Sequence, residues 1–334
     1  MGNPLQSLSH LHTFGLDTNT PYIVEFADIP SIKHHQCQQS AFVILGAGSN
    51  TVFTEDYYGE VWINNLKGVV FSEDATHHYI QVASGENWHS LVTSCVERGI
   101  AGFENLALIP GTVGAAPIQN IGAYGVEVGQ FIAAVDYIDL DTKTTKTISG
   151  SGCVFGYRDS IFKHALKDKV FITQVHFELP KQSTRLTTYG ELATLVNPTI
   201  KDIFDKVITI RQQKLPDPEK VGNAGSFFKN PVISHSELTI IQSRYPSIPF
   251  YAVDDHFVKV PAAWLIDTLG FKGQIIDGIQ CHPHQALVLT NPGLGTGSGL
   301  IKFARRIIAA VAQEFGITLE HEVQLLDRLH RITL

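Results

Sequence analysis

Cysteine, methionine and long apolar runs are scarce in this chain of 334 residues. It has one methionine and four cysteines, which are Cys37, Cys95, Cys153 and Cys281. The cysteines lie far apart and form no C-x-x-C pair, so we expect free thiols and no disulfide framework. Cys281-His282-Pro283-His284 could suggest a metal site, but the proline between the histidines and the lack of a second ligand cluster argue against one. No stretch approaches the ~20 consecutive apolar residues that a membrane-spanning helix needs.

Basic residues are also too few for some functions. Lysine and arginine number 25 against 32 acidic residues, which gives a net charge of −7. A general nucleic-acid-binding protein usually carries a basic surface, so that class is excluded, whereas a local basic pocket for a phosphorylated ligand is compatible. Residues 1–15 lack the charged and apolar regions of a signal peptide, which predicts a cytoplasmic protein.

The remaining composition is that of an ordinary folded protein. Hydrophobic residues make up 44% of the chain and charged residues 17%. The length predicts two or three domains. Strand and helix patterns mix without a regular β-α-β period, which predicts an α+β fold. In the first two thirds, strands are predicted at 21–27, 41–45, 60–71, 78–84, 131–140 and 169–179, and helices at 87–100 and 200–213.

The stretch Leu215-Pro216-Asp217-Pro218 ends the helix at 200–213 and predicts a domain boundary. The pattern beyond it predicts helices at 235–244, 261–269 and 299–315 and a strand pair around 274–290. A final strand is predicted from Leu319 to Leu326, in which Glu320 and Glu322 would share one face.

Two glycine-rich segments have the composition of anion-binding loops. The strand at 41–45 runs into Gly46, Ala47, Gly48, Ser49, Asn50 and Thr51, where tiny residues let backbone N–H groups approach an anion. This is not a Rossmann fingerprint, because Gly-x-Gly-x-x-Gly fails at Thr51. A tight turn explains this loop equally well when it is taken alone.

The second segment covers residues 110–125 and is too rich in Gly, Ala and Pro to be an ordinary core element. Two anion-binding loops in one domain fit a ligand with two phosphates and an extended body. The alternative is a crossing of tight turns packed backbone to backbone.

Two further segments carry candidate chemical groups. Arg158 lies in the run FGYRDSIF and needs a carboxylate or phosphate partner, unless it forms a structural pair with Asp159. Ser226 precedes two bulky aromatic residues in GNAGSFFKNP, so its hydroxyl can lie over a dry pocket. The Gly-x-Ser-x-Gly pattern of a hydrolase is absent there.

Six blocks together identify the chain as similar to a known family. GAGSN, PGTVGAAPIQNIGAYG, FGYRDSIFK, RQQKLPDP, GNAGSFFKNP and LEHEV occur in one order from Thr13 almost to the C-terminus. They resemble the UDP-N-acetylenolpyruvoylglucosamine reductases of peptidoglycan precursor synthesis. TTYGEL, with Tyr189, resembles the substrate loop of the longer subclass.

The resemblance implies an α+β fold with an FAD-binding domain of the vanillyl-alcohol-oxidase or p-cresol-methylhydroxylase type and a smaller α+β substrate domain. It divides the chain into FAD-binding subdomains at 1–65 and 66–214, a substrate-binding domain at 215–318 and a terminal strand at 319–334. It further implies non-covalent FAD, NADPH as hydride donor in the same pocket as the UDP-sugar, and a monomeric enzyme with neither nucleic-acid nor membrane partners.

The resemblance also implies roles for single residues. Arg158 would stabilise an enolate with Glu322 beside it, and Ser226 would donate the proton. Substrate contacts are implied for Tyr157, Arg158, Tyr189, Lys214, Ser226, Asn230, Tyr251 and Gln285. Cofactor contacts are implied for Gly46, Ala47, Gly48, Ser49, Asn50, Thr51, Pro110, Gly111, Thr112, Gly114, Ala115, Ala116, Gln119, Asn120, Gly122, Ala123, Tyr124, Gly125 and Arg211.

The chain departs from the family pattern at a few positions. Ala47, Ala115 and Ala116 stand where glycine is frequent, and His321 stands where proline is common before the glutamate. Two alternatives stay open. One is an oxidase of the same FAD superfamily, which would lack the GNAGSFFKNP and LEHEV blocks. The other is a flavin-binding module without turnover, against which the retention of Arg158, Ser226 and Glu322 argues.

Overall fold

A computed structural model describes residues 4–334 and divides the chain into two compact units. The terminal unit consists of Met1–Pro21, Gly48–Tyr58 and Lys214–Leu334, and the central unit consists of Tyr22–Ala47 and Gly59–Gln213. Residues 1–3, at the start of the predicted first subdomain, lie outside the described residues. The predicted boundaries after residues 65, 214 and 318 stay predictions.

The central unit contains a five-stranded antiparallel sheet. Its longest strand alternates strongly, with Val175, Phe177 and Leu179 buried, because one face covers the core. The predicted strands at 78–84, 131–140 and 169–179 are confirmed. In spatial order the strands are Thr145–Ser149, Ile132–Asp139, Val170–Pro180, His77–Ala83 and Val69–Glu73.

A three-stranded parallel sheet completes the strands of the central unit apart from one short hairpin. Glu60–Asn64 lies between Ile23–Phe26 and Phe42–Leu45 and is buried along its whole length. The ring of Phe42 stacks on Trp62 with centroids 4.3 Å apart. The predicted strand region at 60–71 therefore contains two strands of different sheets, Glu60–Asn64 and Val69–Glu73.

Helices of this unit begin and end where capping residues predict. Asn87 accepts a hydrogen bond from Ser90 N at 2.9 Å and starts Trp88–Glu97, and Gly99 follows with φ +74°. The predicted helix at 200–213 is Ile200–Lys214. Ile29–His34 is the remaining α-helix, and short 3-10 turns occupy Glu104–Leu106, Val113–Ala115, Val128–Phe131, Ser151–Cys153, Ile161–Lys163 and Gly190–Thr194.

The terminal unit is built from small sheets around a separate core. Gln6–Ser7 pairs with Asn19–Thr20, and Thr51–Phe53 runs parallel to Gln324–Leu326, which also pairs with Arg331–Ile332. A four-stranded sheet has the order Gly222–Asn223, Leu289–Asn291, Ile279–Cys281 and Ile275–Ile276. A three-stranded sheet has the order Val232–Ser234, Phe257–Lys259 and Tyr251–Ala252.

Three helices, His235–Gln242, Ala262–Thr268 and Gly297–Phe315, cover these sheets. The longest buries Leu300, Phe303, Ile307 and Val311 along one face. It begins two residues before its predicted start, and a Cβ at Gly297 would collide with the backbone of Thr54. Over residues 4–334, no helix has the length and apolarity to cross a membrane.

The predicted strand from Leu319 to Leu326 is wrong over its first half. Only Gln324–Leu326 forms a strand, and upstream of it His321 makes a single antiparallel bridge with Phe228. The chain turns between the two, and the His321 ring bonds Val323 O at 2.7 Å. Glu320 and Glu322 therefore do not share the face of a continuous strand.

Candidate active site

The two glycine-rich loops approach each other within the central unit. A Cβ at Gly46 would collide with the side chain of Thr112. Gly114 donates its N–H to Ser84 O at 2.8 Å, and Val113 donates to Glu86 O at 2.8 Å. The glycines permit these close approaches, which supports the interpretation of tight turns packed backbone to backbone. Anion binding by the two loops stays a prediction.

Beyond Ala47 the first loop continues into the terminal unit. Gly48 has φ +60° and lies so close to Leu11 that a Cβ would collide with its carbonyl. Asn50 donates through Nδ2 to Glu322 O at 3.3 Å, and Gln324 N donates to Asn50 O at 2.9 Å. The predicted cofactor residue Asn50 is thus bonded to the backbone of the predicted catalytic residue Glu322.

The second loop ends in a small hairpin, in which Gly122–Ala123 pairs with Val126–Glu127. The two turn residues, Tyr124 and Gly125, both have positive φ, +49° and +85°. That is the backbone of a type I′ turn, which glycine tolerates and tyrosine rarely adopts. A strained tyrosine at a hairpin tip indicates a position that the surrounding structure enforces.

The guanidinium of Arg158 contacts this hairpin. The backbone of this residue is left-handed, with φ +55°, and Nη2 donates to Gly122 O at 2.8 Å. A Cβ at Gly122 would lie 3.2 Å from Nη1 and 2.8 Å from Val126 O. Lys163 Nζ donates to Arg158 O at 2.8 Å, and the guanidinium lies 5.5 Å from the ring centroid of Tyr157. These contacts fix the direction of the guanidinium.

Side chains buried under the loop hold the turn that carries Arg158. Asn120 donates to Gly156 O at 3.0 Å and accepts from Gly129 N at 2.8 Å. Ser160 donates to Ile118 O at 2.6 Å. Sequence reasoning missed the positioning roles of Ser160 and Lys163, although both lie in the FGYRDSIFK block.

The alternative of a structural Arg158–Asp159 pair receives no support. Asp159 instead pairs with His164, at 2.8 Å between carboxylate and ring nitrogen.

A second arginine adds positive charge to the same unit. Arg211 lies on the helix Ile200–Lys214, and no acceptor among residues 4–334 bonds its buried Nε. Burial lowers the pKa of Arg211, the hydroxyl of Tyr124 opposes that shift, and the charge of Arg158 adds to it. A buried guanidinium with an unused donor calls for an anion.

Two tyrosines lie together near these arginines. The rings of Tyr124 and Tyr189 meet edge to face, with centroids 6.1 Å apart. Burial raises the pKa of Tyr124, whereas the side chain of Tyr189 is 44% exposed. A predicted cofactor residue and a predicted substrate residue thus touch.

Ser226 lies in the terminal unit at the end of a tight turn. Gly225, with φ +70°, donates its N–H to Asn223 Oδ1 at 3.1 Å. Phe227 N donates to Leu287 O at 2.7 Å, and both Phe227 and Phe228 are buried. The turn and the two buried rings leave Ser226 half-buried at the edge of the core.

Backbone pairing brings Glu322 beside this serine. Glu322 N donates to Phe227 O at 2.8 Å, and Lys229 N donates to Glu320 O at 2.9 Å. Glu320 is 73% exposed and pairs with Lys229, whereas Glu322 is half-buried. His321, which replaces the common proline, keeps this pairing intact. Of the two glutamates, Glu322 is the one that the structure places next to Ser226.

The other predicted substrate residues of the terminal unit are more scattered. Asn230 accepts a hydrogen bond through Oδ1 from Ala262 N at 2.9 Å, at the first residue of the helix Ala262–Thr268. Gln285 accepts from Val288 N at 3.0 Å beside the Leu287 carbonyl that holds Phe227. Tyr251 and Lys214 are exposed. The structure brings Ser226, Glu322 and Asn50 together in one unit, and Arg158, Arg211, Tyr124 and Tyr189 in the other.

These features and the α+β architecture define a class, the FAD-dependent oxidoreductases. Residues 32–148 match the family model described as an FAD binding domain. Residues 217–326 match the model described as "UDP-N-acetylenolpyruvoylglucosamine reductase, C-terminal domain". The predicted α+β class with an FAD-binding domain is confirmed.

Curated relatives identify the family. The chain is 55% identical over 334 residues to UDP-N-acetylenolpyruvoylglucosamine reductase of Pseudoalteromonas atlantica, covering 99% of this chain and 96% of the relative. It is 47% identical to the same enzyme of Pseudoalteromonas translucida, covering 96% and 95%. The chain therefore belongs to the UDP-N-acetylenolpyruvoylglucosamine reductase family.

A solved structure shows the same fold. The crystal structure of UDP-N-acetylenolpyruvylglucosamine reductase from Thermus caldophilus superposes with a TM-score of 0.67 at 20% identity, covering 96% of this chain and 98% of that one. The two chains therefore share a fold although only 20% of their residues are identical.

The residues of the central unit fit FAD. Arg211 has an unused buried donor, Arg158 adds positive charge, and the loop at Gly46 and Thr112 is too close-packed for larger side chains. A pyrophosphate supplies the negative charge that such a group of donors binds. FAD is thus the cofactor of this family that the site suits.

Proposed function

We propose that this chain reduces UDP-N-acetylenolpyruvoylglucosamine to UDP-N-acetylmuramate with NADPH, as a step of peptidoglycan precursor synthesis. The observation that carries the proposal is the backbone pairing that sets Glu322 beside Ser226, in a chain with an FAD-binding domain. That pairing supports a proton donor and a carboxylate acting on one substrate group.

Arg158, Arg211 and the loop at Gly46 and Thr112 would hold FAD, which when bound would supply hydride transfer from NADPH to the terminal carbon of the enolpyruvyl group. The side chains would act on the charge that then develops on the substrate. The guanidinium of Arg158, aimed by Gly122 O and Lys163, stabilises negative charge on the substrate carboxylate and the adjacent carbon. Glu322 would orient the substrate.

Ser226 would donate the proton to the adjacent carbon. A hydroxyl is a weak acid in water, so its site must exclude solvent and favour proton release. The buried rings of Phe227 and Phe228 directly follow it and provide an apolar floor. This arrangement supports a hydroxyl that is positioned by packing.

The substrate contacts complete the proposal. Tyr157, Tyr189, Lys214, Asn230, Tyr251 and Gln285 would bind the UDP-sugar. NADPH would use the same pocket before the sugar enters. The cytoplasmic location and the monomeric state expected from the sequence belong to the same proposal.

Steady-state turnover tests the function. The purified protein with bound FAD is mixed with NADPH and the enolpyruvyl sugar nucleotide, and products are measured by mass spectrometry. We expect one product that carries two more hydrogen atoms than the sugar substrate, formed in step with NADPH loss. NADPH oxidation that needs only oxygen and leaves the sugar intact would contradict the proposal and favour an oxidase.

A further inference from the structure

We propose that Asn105 is a positioning residue that fastens the loop carrying Tyr189 to the hairpin carrying Tyr124. The inference rests on the proposed function, because it assigns Asn105 a part in binding the sugar nucleotide. None of the sequence motifs pointed to this residue. Its role emerges from contacts between segments that lie up to 81 positions apart.

Asn105 is buried and its side-chain amide bonds two separate segments. It lies in the 3-10 turn Glu104–Leu106, between the buried side chains of Phe103 and Leu106, and is itself 1% exposed. Its Nδ2 donates to Tyr124 O at 3.1 Å and to Leu186 O at 2.9 Å. An amide NH₂ has two donors, so both are used to join two separate segments.

The first segment needs such a contact. Tyr124 has φ +49°, a left-handed backbone conformation that a non-glycine residue adopts only under strain. A hydrogen bond to its carbonyl fixes the peptide plane between Tyr124 and Gly125. The hairpin tip, on which Arg158 also depends through Gly122, is held in this conformation.

The second segment lies mostly at the surface. Residues 181–185 and 188–190 are exposed, and behind them lies an open cavity of about 640 Å³ lined by residues that include Arg185, Thr187 and Pro198. Leu186 is the exception, since its side chain lies over Gly125, within 2.7 Å of a Cβ placed there. The loop therefore meets the hairpin at Leu186, at the Asn105 amide and at the Tyr124–Tyr189 ring contact.

These three contacts have a kinetic consequence. Tyr189 is three residues after Leu186, so loss of the bond to Leu186 O should loosen the contact between the Tyr189 and Tyr124 rings. The sugar nucleotide would then bind to a protein that must order the loop first, which weakens binding more than it slows chemistry. Asn105 acts through Tyr189 and touches no substrate atom.

A double-mutant cycle tests the inference in the FAD-loaded enzyme. Asn105→Ala, Tyr189→Ala and the double variant are compared with the wild type in KM for the sugar nucleotide and in kcat. We expect Asn105→Ala to raise KM on the order of tenfold with a smaller change in kcat. In the double variant KM should be no higher than in Tyr189→Ala, because both changes remove the same contribution.

Controls separate this role from simple destabilisation. Val135→Ala, in the core of the same unit, should lower Tm and leave KM unchanged. Leu186→Ala removes the other contact and should repeat the non-additivity with Tyr189→Ala, even if Asn105→Ala fails to fold. The inference would be overturned if the KM increases of the single variants multiplied in the double variants. It would also be overturned if Val135→Ala raised KM as much as Asn105→Ala does. Absence of turnover in the wild type would instead refute the proposed function.

Discussion

Arg158 and Ser226, the two groups expected to act on the substrate, are held in different ways. The arginine belongs to the central unit and is fixed by side chains that bond distant backbone carbonyls, among them Lys163, Asn120 and Ser160. The serine belongs to the terminal unit and is fixed by main-chain bonds of Phe227 to Leu287 and Glu322.

This difference predicts how each position responds to substitution. A side-chain network loses a donor with every change, so the direction of the guanidinium is sensitive to many residues around it. Main-chain pairing survives most side-chain changes, so the position of Ser226 should tolerate substitution around it while its hydroxyl remains indispensable. The predictions below test the two behaviours in turn.

Arg158→Ala should have the largest effect. It removes the charge that stabilises the developing enolate, and we expect substrate reduction to fall about 10²- to 10³-fold, as for loss of one oxyanion donor. Arg158→Lys keeps the charge and loses the planar donors, so it should recover only part of this loss. Stopped-flow rates of the substrate half-reaction measure both. Full activity in the lysine variant would show that the guanidinium geometry is unimportant.

Ser226→Ala should lower substrate reduction by roughly 10²-fold, as for loss of a general acid. Flavin reduction by NADPH should survive, because it needs no proton from this hydroxyl. The exposed Ser236→Ala of the same unit serves as the control. Equal losses in both half-reactions of Ser226→Ala would remove the proton-donor role.

The stability of the terminal unit should depend on pH through the buried side chain of His12. Burial lowers the pKa of His12 from 6.5 to about 4, with a backbone contact at Leu16 acting weakly against it. The unfolded chain therefore binds more protons than the folded chain between these values, and stability falls as pH drops through that window. We expect a loss of about 2 kcal/mol between pH ~7 and ~5 from this residue.

Denaturant unfolding at a series of pH values measures the His12 effect. His12→Leu removes the titrating group, so its stability should change less over the same pH range. Parallel pH dependence in the two proteins would show that other groups dominate.

Gly122→Ala should have the smallest effect on rate. The new methyl group would press on Val126 O and on Arg158 Nη1, so the guanidinium shifts by a few tenths of an ångström. We expect substrate reduction to fall on the order of tenfold, with flavin content retained. Unchanged kinetics in Gly122→Ala would show that the hairpin does not aim Arg158.

Much of the fold was predictable because local patterns agree with tertiary packing. Val170–Pro180 alternates along one buried face, and Trp88–Glu97 has Asn87 and Gly99 at its ends. The prediction of a strand at Leu319–Leu326 was wrong over its first half, because the local pattern there does not agree with tertiary pairing. Its alternating pattern is that of a strand, but a strand also needs a pairing partner, and over residues 4–334 the segment before Gln324 makes a single bridge, between His321 and Phe228.

The candidate site was predictable where the reactive residues lie within short blocks of sequence that resemble the family. Arg158, Ser226 and Glu322 stand in blocks that resemble the family, and the structure adds their surroundings. Asn105, Ser160 and Lys163 were missed as positioning residues. Asn105 and Ser160 act by bonding carbonyls far along the chain, such as Leu186 O and Ile118 O. No local pattern encodes such a partner.

The most direct test of the central claim follows the flavin in a single turnover. The purified protein is reduced with one equivalent of NADPH without oxygen, and the enolpyruvyl sugar nucleotide is then added while the visible flavin absorbance is recorded. We expect the oxidised spectrum to return at a rate set by the sugar concentration, with UDP-N-acetylmuramate as the product. A flavin that stays reduced until oxygen enters would contradict it.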